Sequence, residues 1–237
     1  YVEKNNSGAE KMRRLFGLLQ EANRRGVEFQ VEIENIQEED WMNSWKKFYK
    51  PIPVGEKLII KPSWEELPAG NTRIPLEIDP SSSFGTGTHE TTFMCMEQLE
   101  KYVTPGCRAI DVGCGSGILG LAAAKLGAAD VLAIDLDELA VKVAAENTEK
   151  NGLSNVVRVA HGDLLEKREE KADVIVANII ADVICYLCGP VKKHLLEGGT
   201  FICSGIIRER EEDVQRALAA AGYTVCNRLS KGEWVCL

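Results

Sequence analysis

Several patterns are missing from these 237 residues, and each absence excludes something. No apolar run reaches the roughly 18 residues that a membrane-spanning helix needs. The opening Tyr1-Val-Glu-Lys-Asn-Asn6 has no apolar core of a secretion signal. No long basic run occurs, and 28 Lys plus Arg against 36 Asp plus Glu leave a formal charge of −8. Phosphate backbones are bound by clustered cations, so neither direct nucleic-acid binding nor membrane association is expected, whereas a basic protein partner suits the charge. Cys185-Tyr-Leu-Cys188 is the sole CxxC and has no second ligand pair, so no metal site is expected. The eight cysteines are scattered through apolar segments and read as reduced thiols of a cytoplasmic protein. Cys185 and Cys188 fit neighbouring places on an apolar helix face, where free cysteine packs as a small hydrophobe. What is present, 45% hydrophobic and 27% charged residues, is the balance of a globular chain of one or two domains.

The N-terminal part is irregular. Met12, Leu15, Phe16, Leu19 and Ala22 follow helical spacing over about residues 8–24, and Arg25-Gly26 ends that pattern. Val27, Phe29, Val31 and Ile33 then alternate with polar residues, as on a half-buried strand. A lone helix and a lone strand bury each other poorly, and the sequence begins without Met. We therefore expect further residues upstream. Trp41, Trp45, Phe48 and Tyr49 share a helical face that Pro51 and Pro53 stop. Residues 57–61 read as a short strand and 62–71 as a connector.

From about residue 73 the pattern changes to α/β alternation. Strand-like runs fall at 108–112, 130–135, 156–160, 173–177, 199–204, 224–229 and 233–237. Helices are expected at 118–126 and 138–151. Alternating strands and helices predict a doubly wound, mostly parallel sheet of seven strands covered on both faces. The last two runs lack a helix between them and predict a hairpin with an antiparallel strand. His194, in a Lys-Lys-His run, reads as solvated surface.

Ala109-Ile-Asp-Val-Gly-Cys-Gly-Ser-Gly-Ile-Leu119 is the most informative stretch. A strand runs into Gly113, Gly115 and Gly117, and a helix follows whose N-terminus offers free N–H groups. The spacing is GxGxG after an acid, not the GxGxxG of dinucleotide dehydrogenases. Asp135 ends the next strand, 22 residues after Gly113, where a carboxylate can accept both ribose hydroxyls. Asp111 can hold the loop or face an ammonium group. No Walker-type phosphate loop is present.

This pattern resembles the class I S-adenosylmethionine-dependent methyltransferases. The resemblance implies the methionine moiety at Gly113, Gly115 and Gly117, ribose at Asp135, and adenine near Asp163 of His161-Gly-Asp-Leu-Leu165. Asp163 reads equally as a helix cap. Two more segments narrow it. Phe84-Gly-Thr-Gly-Thr-His-Glu-Thr-Thr92 precedes an amphipathic helix, where Thr88 also suits a simple cap. Val176-Ala-Asn-Ile-Ile-Ala181 ends the fourth strand, where open parallel sheets bind ligand. With Asp40-Trp-Met-Asn-Ser-Trp45, Lys61-Pro-Ser-Trp64 and Glu233-Trp-Val235, these make the chain similar to the ribosomal protein L11 methyltransferase family.

That resemblance implies a cytoplasmic enzyme that transfers methyl groups from S-adenosylmethionine to lysine side-chain and N-terminal amines of ribosomal protein L11. It implies cofactor contacts at Phe84, Thr88, Thr92, Gly113, Gly115, Gly117, Asp135, Asp163 and Asn178, with Asn178 also orienting the amine. The expected organisation is a remnant of an N-terminal ferredoxin-like recognition domain over 1–50, a linker over 51–72, and the catalytic domain over 73–237, in a monomer. Glu90 stands where the family often has Pro, and Ser81-Ser82-Ser83 where it often has Gly-x-Ala. His89 and His161 are candidate proton acceptors. The alternatives are a class I methyltransferase acting on another protein or a small molecule, and a non-catalytic S-adenosylmethionine-binding module.

Overall fold

The computed structural model describes residues 6–27, 49–79 and 89–237. The chain divides into two units, residues 1–47 and 48–237. Of the first unit, helix α1 (Asn6–Arg24) is described, with Leu15, Phe16 and Leu18 exposed. Gly26, at φ +82°, turns the chain after it. The expected strand over 27–34 and the Trp41/Trp45 helix lie outside the described residues, as does any ferredoxin-like remnant built from them.

The second unit opens with β1 (Ile52–Val54), β2 (Leu58–Lys61) and β3 (Ile74–Glu77). These form a small sheet in which β1 and β2 are antiparallel and β2 and β3 parallel. Helix α2 (Glu90–Tyr102) follows. Then come β4 (Arg108–Val112), α3 (Ile118–Lys125), β5 (Asp130–Asp135), α4 (Glu138–Lys150) and β6 (Val157–His161). The chain continues through β7 (Ala172–Asn178), α5 (Ala181–His194), β8 (Leu195–Ser204), β9 (Ile206–Ile207) and α6 (Glu211–Ala220). The hairpin β10 (Leu229–Lys231) and β11 (Trp234–Cys236) ends it.

The central sheet has five parallel strands in the order β6-β5-β4-β7-β8. Its strands are apolar on both faces, as a sheet covered on both sides requires. Ala109, Val131, Ala133, Val174 and Val176 pack with α2 and α3. The alternate residues Ile110, Val112, Leu132, Ile134, Ile175 and Ala177 pack with Leu187 and Val191 of α5.

The expected count of seven strands differs from this arrangement. Residues 224–228 form no strand, and β10 and β11 join β9 in a separate antiparallel sheet. That sheet meets the central one through a reciprocal pair of backbone bonds between Cys203 and Leu237, both 2.9 Å. His194 also differs from expectation. It is buried at the end of α5, with Nδ1 2.8 Å from the Glu170 carbonyl. Its polar neighbours face solvent while the helical period turns His194 inward.

Residues 51–72, expected as a linker, contain β1 and β2, and Val54, Leu58 and Ile60 are buried in the core that holds α2. The β1–β2 turn is gripped from two sides. The Glu100 carboxylate of α2 accepts the N–H groups of Glu56 (2.8 Å), Lys57 (2.8 Å) and Leu58 (3.0 Å). Arg73 donates to the carbonyls of Val54, Gly55 and Leu58, the shortest bond being 2.7 Å. Gly55 sits at φ +55°, where a side chain is strained, and a Cβ there would lie 2.5 Å from Glu100 Oε2. Three charge-assisted bonds converge on one carboxylate, partly exposed to water. Glu100→Ala is therefore expected to lower the stability of the second unit by about 1–3 kcal/mol, read from the urea midpoint. An unchanged midpoint would mean that the turn is held by packing alone.

Candidate active site

The carboxyl ends of β4, β5, β6 and β7 point the same way because all four strands are parallel. The loops leaving those ends gather the chemistry that the sequence scatters over about ninety residues. In such sheets this end is where ligands bind.

The glycine turn is built from β4. Gly113, Gly115 and Gly117 have φ of +70°, +54° and +79°, the left-handed region where a side chain is strained. The N–H groups of Gly113 and Cys114 both donate to the Ile134 carbonyl at 2.9 Å. The Gly115 N–H donates to Asp135 Oδ2 at 2.8 Å. Gly117 caps α3 from its own left-handed conformation, and its N–H donates to the Cys114 carbonyl.

Asp135 ends β5. Its Oδ1 accepts the Asp137 N–H at 2.9 Å while Oδ2 holds Gly115. Each carboxylate oxygen accepts more than one bond, so both keep capacity for a diol. Beside it lies a cavity of about 400 Å³, lined by Gly113, Ile134, Asp135, Leu136, Asp163 and Leu164 among others. Three of the residues expected from sequence, Gly113, Asp135 and Asp163, thus share one cavity. A carboxylate for a diol beside an apolar slot fits a nucleoside. Asp182, Val183 and Tyr186 of α5 line the same cavity and were missed in the sequence. Their only signal is position, in the first turns of the helix that follows Asn178.

Asp163 is exposed, on a loop where Leu164 and Lys167 adopt positive φ of 50° and 56°. No helix follows it, so it is not a helix cap. Gly115 and Gly117 are not on the cavity wall. Asn178, at the end of β7, donates from Nδ2 to Thr92 Oγ1 at 3.3 Å, bringing together two residues 86 apart in sequence. They do not line the cavity. They stand next to it through Ile179, whose Cγ2 would be 2.6 Å from a Cβ on Gly113. Phe84 and Thr88 lie outside the described residues.

Two histidines were candidate proton acceptors. His89 caps α2, the role that Thr88 also suited, with Nδ1 2.8 Å from Thr91 Oγ1 and accepting the Thr91 N–H. That spends its lone pair. His161 Nε2 lies 2.9 Å from the Leu136 carbonyl and must donate there, which leaves Nδ1 as the basic nitrogen.

Asp111 is fully buried between β4 and α3. Its Oδ2 accepts the Gly120 N–H in the first turn of α3 at 2.8 Å. Oδ1 has no partner among the described residues. Burial pushes its carboxyl up to about 7, with the nearby Asp135 charge adding to the rise. Burial, and then the charges of Asp111 and Asp135, push the Cys114 thiol far up, so it stays protonated and offers no nucleophile. Among the described residues no group of three or more His, Cys, Asp or Glu is placed to hold a metal ion.

The Asp111 shift has a direct consequence for stability. The folded state keeps this proton up to about pH 7, whereas the unfolded chain releases it near the ordinary 3.8. The folded state therefore binds the extra proton in between, and stability falls as pH rises through that window. Between about pH 5 and pH 8 this group is expected to cost about 2–3 kcal/mol. Asp111→Asn should flatten that decline in urea titrations at the two pH values. An equal decline in the variant would place the cost elsewhere.

The ribosomal protein L11 methyltransferase family model matches residues 3–237. A ribosomal protein L11 methyltransferase of Desulforamulus reducens is 51% identical over 204 residues, which is 86% of this chain and 66% of that one. Another, of Pelotomaculum thermopropionicum, is 51% identical over 207 residues, 87% of this chain and 67% of that one. The chain thus spans about two thirds of the length of the curated relatives it matches. A solved ribosomal protein L11 methylase of Lactobacillus delbrueckii subsp. bulgaricus superposes with a TM-score of 0.74 at 33% identity, covering 80% of this chain and 96% of that one. A methyltransferase of Pyrococcus furiosus, at 21% identity and a TM-score of 0.59, covers 68% of this chain and 86% of that one and shares the fold.

Proposed function

This chain belongs to the ribosomal protein L11 methyltransferase family, and on that premise we propose that it transfers methyl groups from S-adenosylmethionine to lysine side-chain and N-terminal amines of ribosomal protein L11. The observation that carries this reading is the contact of Ile179 with Gly113, which sets the amide of Asn178 beside the glycine turn and its cavity.

In this reading Asp135 accepts the ribose hydroxyls, and Ile134, Leu136, Leu164 and Tyr186 flank the base, with Asp163 at the slot to accept from the adenine amino group. Gly113, Gly115 and Gly117 present backbone to the methionine moiety, and Phe84, Thr88 and Thr92 are taken as further cofactor contacts. Bound S-adenosylmethionine supplies a methyl group already activated on a sulfonium, so the protein's task is alignment, worth up to roughly 7–11 kcal/mol.

The incoming amine must be uncharged, because an ammonium has no lone pair. Lysine titrates near 10.4 in water, so the site must favour the neutral form by several kcal/mol through desolvation. Asn178 suits that demand. Its Nδ2 donates to Thr92 Oγ1, which leaves Oδ1 as the acceptor for the amine. A neutral oxygen accepts an N–H bond without holding the amine in its charged form, as a carboxylate would.

We take residues 1–50 as belonging to a target-recognition domain and 73–237 as the catalytic domain of a monomeric cytoplasmic protein. The joining segment 51–72 is in part packed on the catalytic core. No helix of the described residues is long and apolar enough to cross a membrane. The net charge of −8 complements a basic target and gives nucleic acid no purchase.

The test is incubation of the chain with S-adenosylmethionine and purified ribosomal protein L11, read by the intact mass of the target. Mass gained in methyl increments is the expected result. No gain, even with the relatives' full N-terminal length restored, contradicts the reading. In the same assay Asn178→Ala is expected to lower kcat on the order of 100-fold while leaving S-adenosylhomocysteine affinity within a few-fold. A variant that loses cofactor affinity instead would make Asn178 a cofactor ligand alone.

A further inference from the structure

We propose that Asn147 is a positioning residue: from α4 it fixes the Ser116–Gly117 peptide and so holds the glycine turn in the conformation that receives S-adenosylmethionine. This rests on the cofactor reading above and extends it to a residue that touches neither cofactor nor cavity.

Asn147 sits in the last turn of α4, where a short amide side chain competes with the helical backbone and is a poor choice on propensity alone. It is also buried, at 4% exposure, where an unpaired amide is costly. Both penalties are offset by one contact. Its Nδ2 donates to the Ser116 carbonyl at 2.9 Å, across 31 residues of sequence.

That carbonyl lies between two of the glycines of the turn. Ser116 is flanked by Gly115 and Gly117, and glycine populates positive and negative φ with similar ease. A turn with glycine at three alternate positions therefore samples several peptide orientations unless each peptide is tied. The Ser116–Gly117 peptide is tied at both ends. Its carbonyl is held by Asn147 and its N–H donates to the Cys114 carbonyl at 2.8 Å. Ala144, one turn earlier on the same face of α4, closes the space beside Gly117: a Cβ there would lie 3.1 Å from the Ala144 Cβ. The first half of the turn is fixed by Ile134 and Asp135 of β5, and the second half by α4. Asn151 of the α4 C-cap extends the same use of α4, exchanging bonds of 2.8 and 2.9 Å with the Glu77 backbone of β3.

The test compares Asn147→Asp with Thr148→Val. The first keeps size but replaces the amide donor by a carboxylate. The second alters the adjacent buried residue, whose hydroxyl donates to the Ala144 carbonyl within its own helix. Amide hydrogen exchange of the ligand-free protein comes first. Asn147→Asp is expected to speed exchange at Gly117 about tenfold, and Thr148→Val to leave it unchanged. Calorimetric titration with S-adenosylhomocysteine follows, with Kd expected to rise about tenfold for Asn147→Asp only. In the methyl-transfer assay its KM for S-adenosylmethionine should rise with kcat at saturation unchanged. Unchanged exchange and unchanged Kd in Asn147→Asp overturn the proposal, and so do equal losses in both variants, which would make the residue structural. If exchange at Gly117 rises as expected but the unaltered protein does not bind S-adenosylhomocysteine, the loop-holding role stands and the cofactor reading fails.

Discussion

Ile179 is wedged between two glycines, and the site depends on that wedge. A Cβ on Gly113 would stand 2.6 Å from its Cγ2, and one on Gly205 would stand 2.3 Å from its carbonyl oxygen. Both glycines have positive φ, +70° and +82°. No other residue meets both demands, the space and the backbone conformation, at either position. The backbone N–H of Ile179 continues the β7–β8 ladder by donating to the Ser204 carbonyl at 3.1 Å. The glycine turn at the end of β4 and the Asn178 segment at the end of β7 are thereby held edge to edge.

The C-terminal hairpin lies along the first turns of α2. Trp234 meets the His89 ring edge-on at 5.1 Å, and Lys231 pairs with Glu97 at 2.5 Å. A Cβ on Gly232 would fall 2.7 Å from Glu90 Oε2, so that turn too is a close approach. Ser204, buried beside Ile179, donates to the Val235 carbonyl at 3.0 Å. The hairpin thus braces both partners of the Asn178–Thr92 bond, one through α2 and one through β8. This explains why the sequence invests a Trp and a Gly in a short terminal hairpin far along the chain from the glycine turn.

Much of this was legible in the sequence, for physical reasons that differ by element. Strands β4 and β5 fall where their apolar runs end in Val112 and Asp135, because burial on both faces leaves few polar residues within them. The run over 224–229 misled: Val225 and Cys226 are exposed, and apolar residues that find no partner strand form none. Strand β8 runs from Leu195, earlier than expected, because Glu197-Gly198-Gly199 reads as a turn yet forms a bulge against β7. A Cβ on Gly199 would sit 2.8 Å from the Asp173 carbonyl, which is why glycine is there. Within the site, the glycine turn and Asp135 were readable because backbone demands restrict residue type. Asp182 and Tyr186 were not, because a cavity wall asks only for a shape at a helical position. Asn147 was hidden for the same reason: its one bond reaches a carbonyl that every residue possesses.

The proposed function requires that the cavity beside Asp135 take a nucleoside and that the Asn178 amide border the same ligand. The most direct measurement is a titration of the isotopically labelled protein with S-adenosylhomocysteine, followed by amide resonances. Shifts are expected at Gly113–Gly117, Asp135 and Gly162–Leu164, with the Asn178 side-chain amide moving in the same titration. Shifts confined to the smaller cavity near Gln98 and Tyr223, or none at Asn178 while the glycine turn responds, would contradict it.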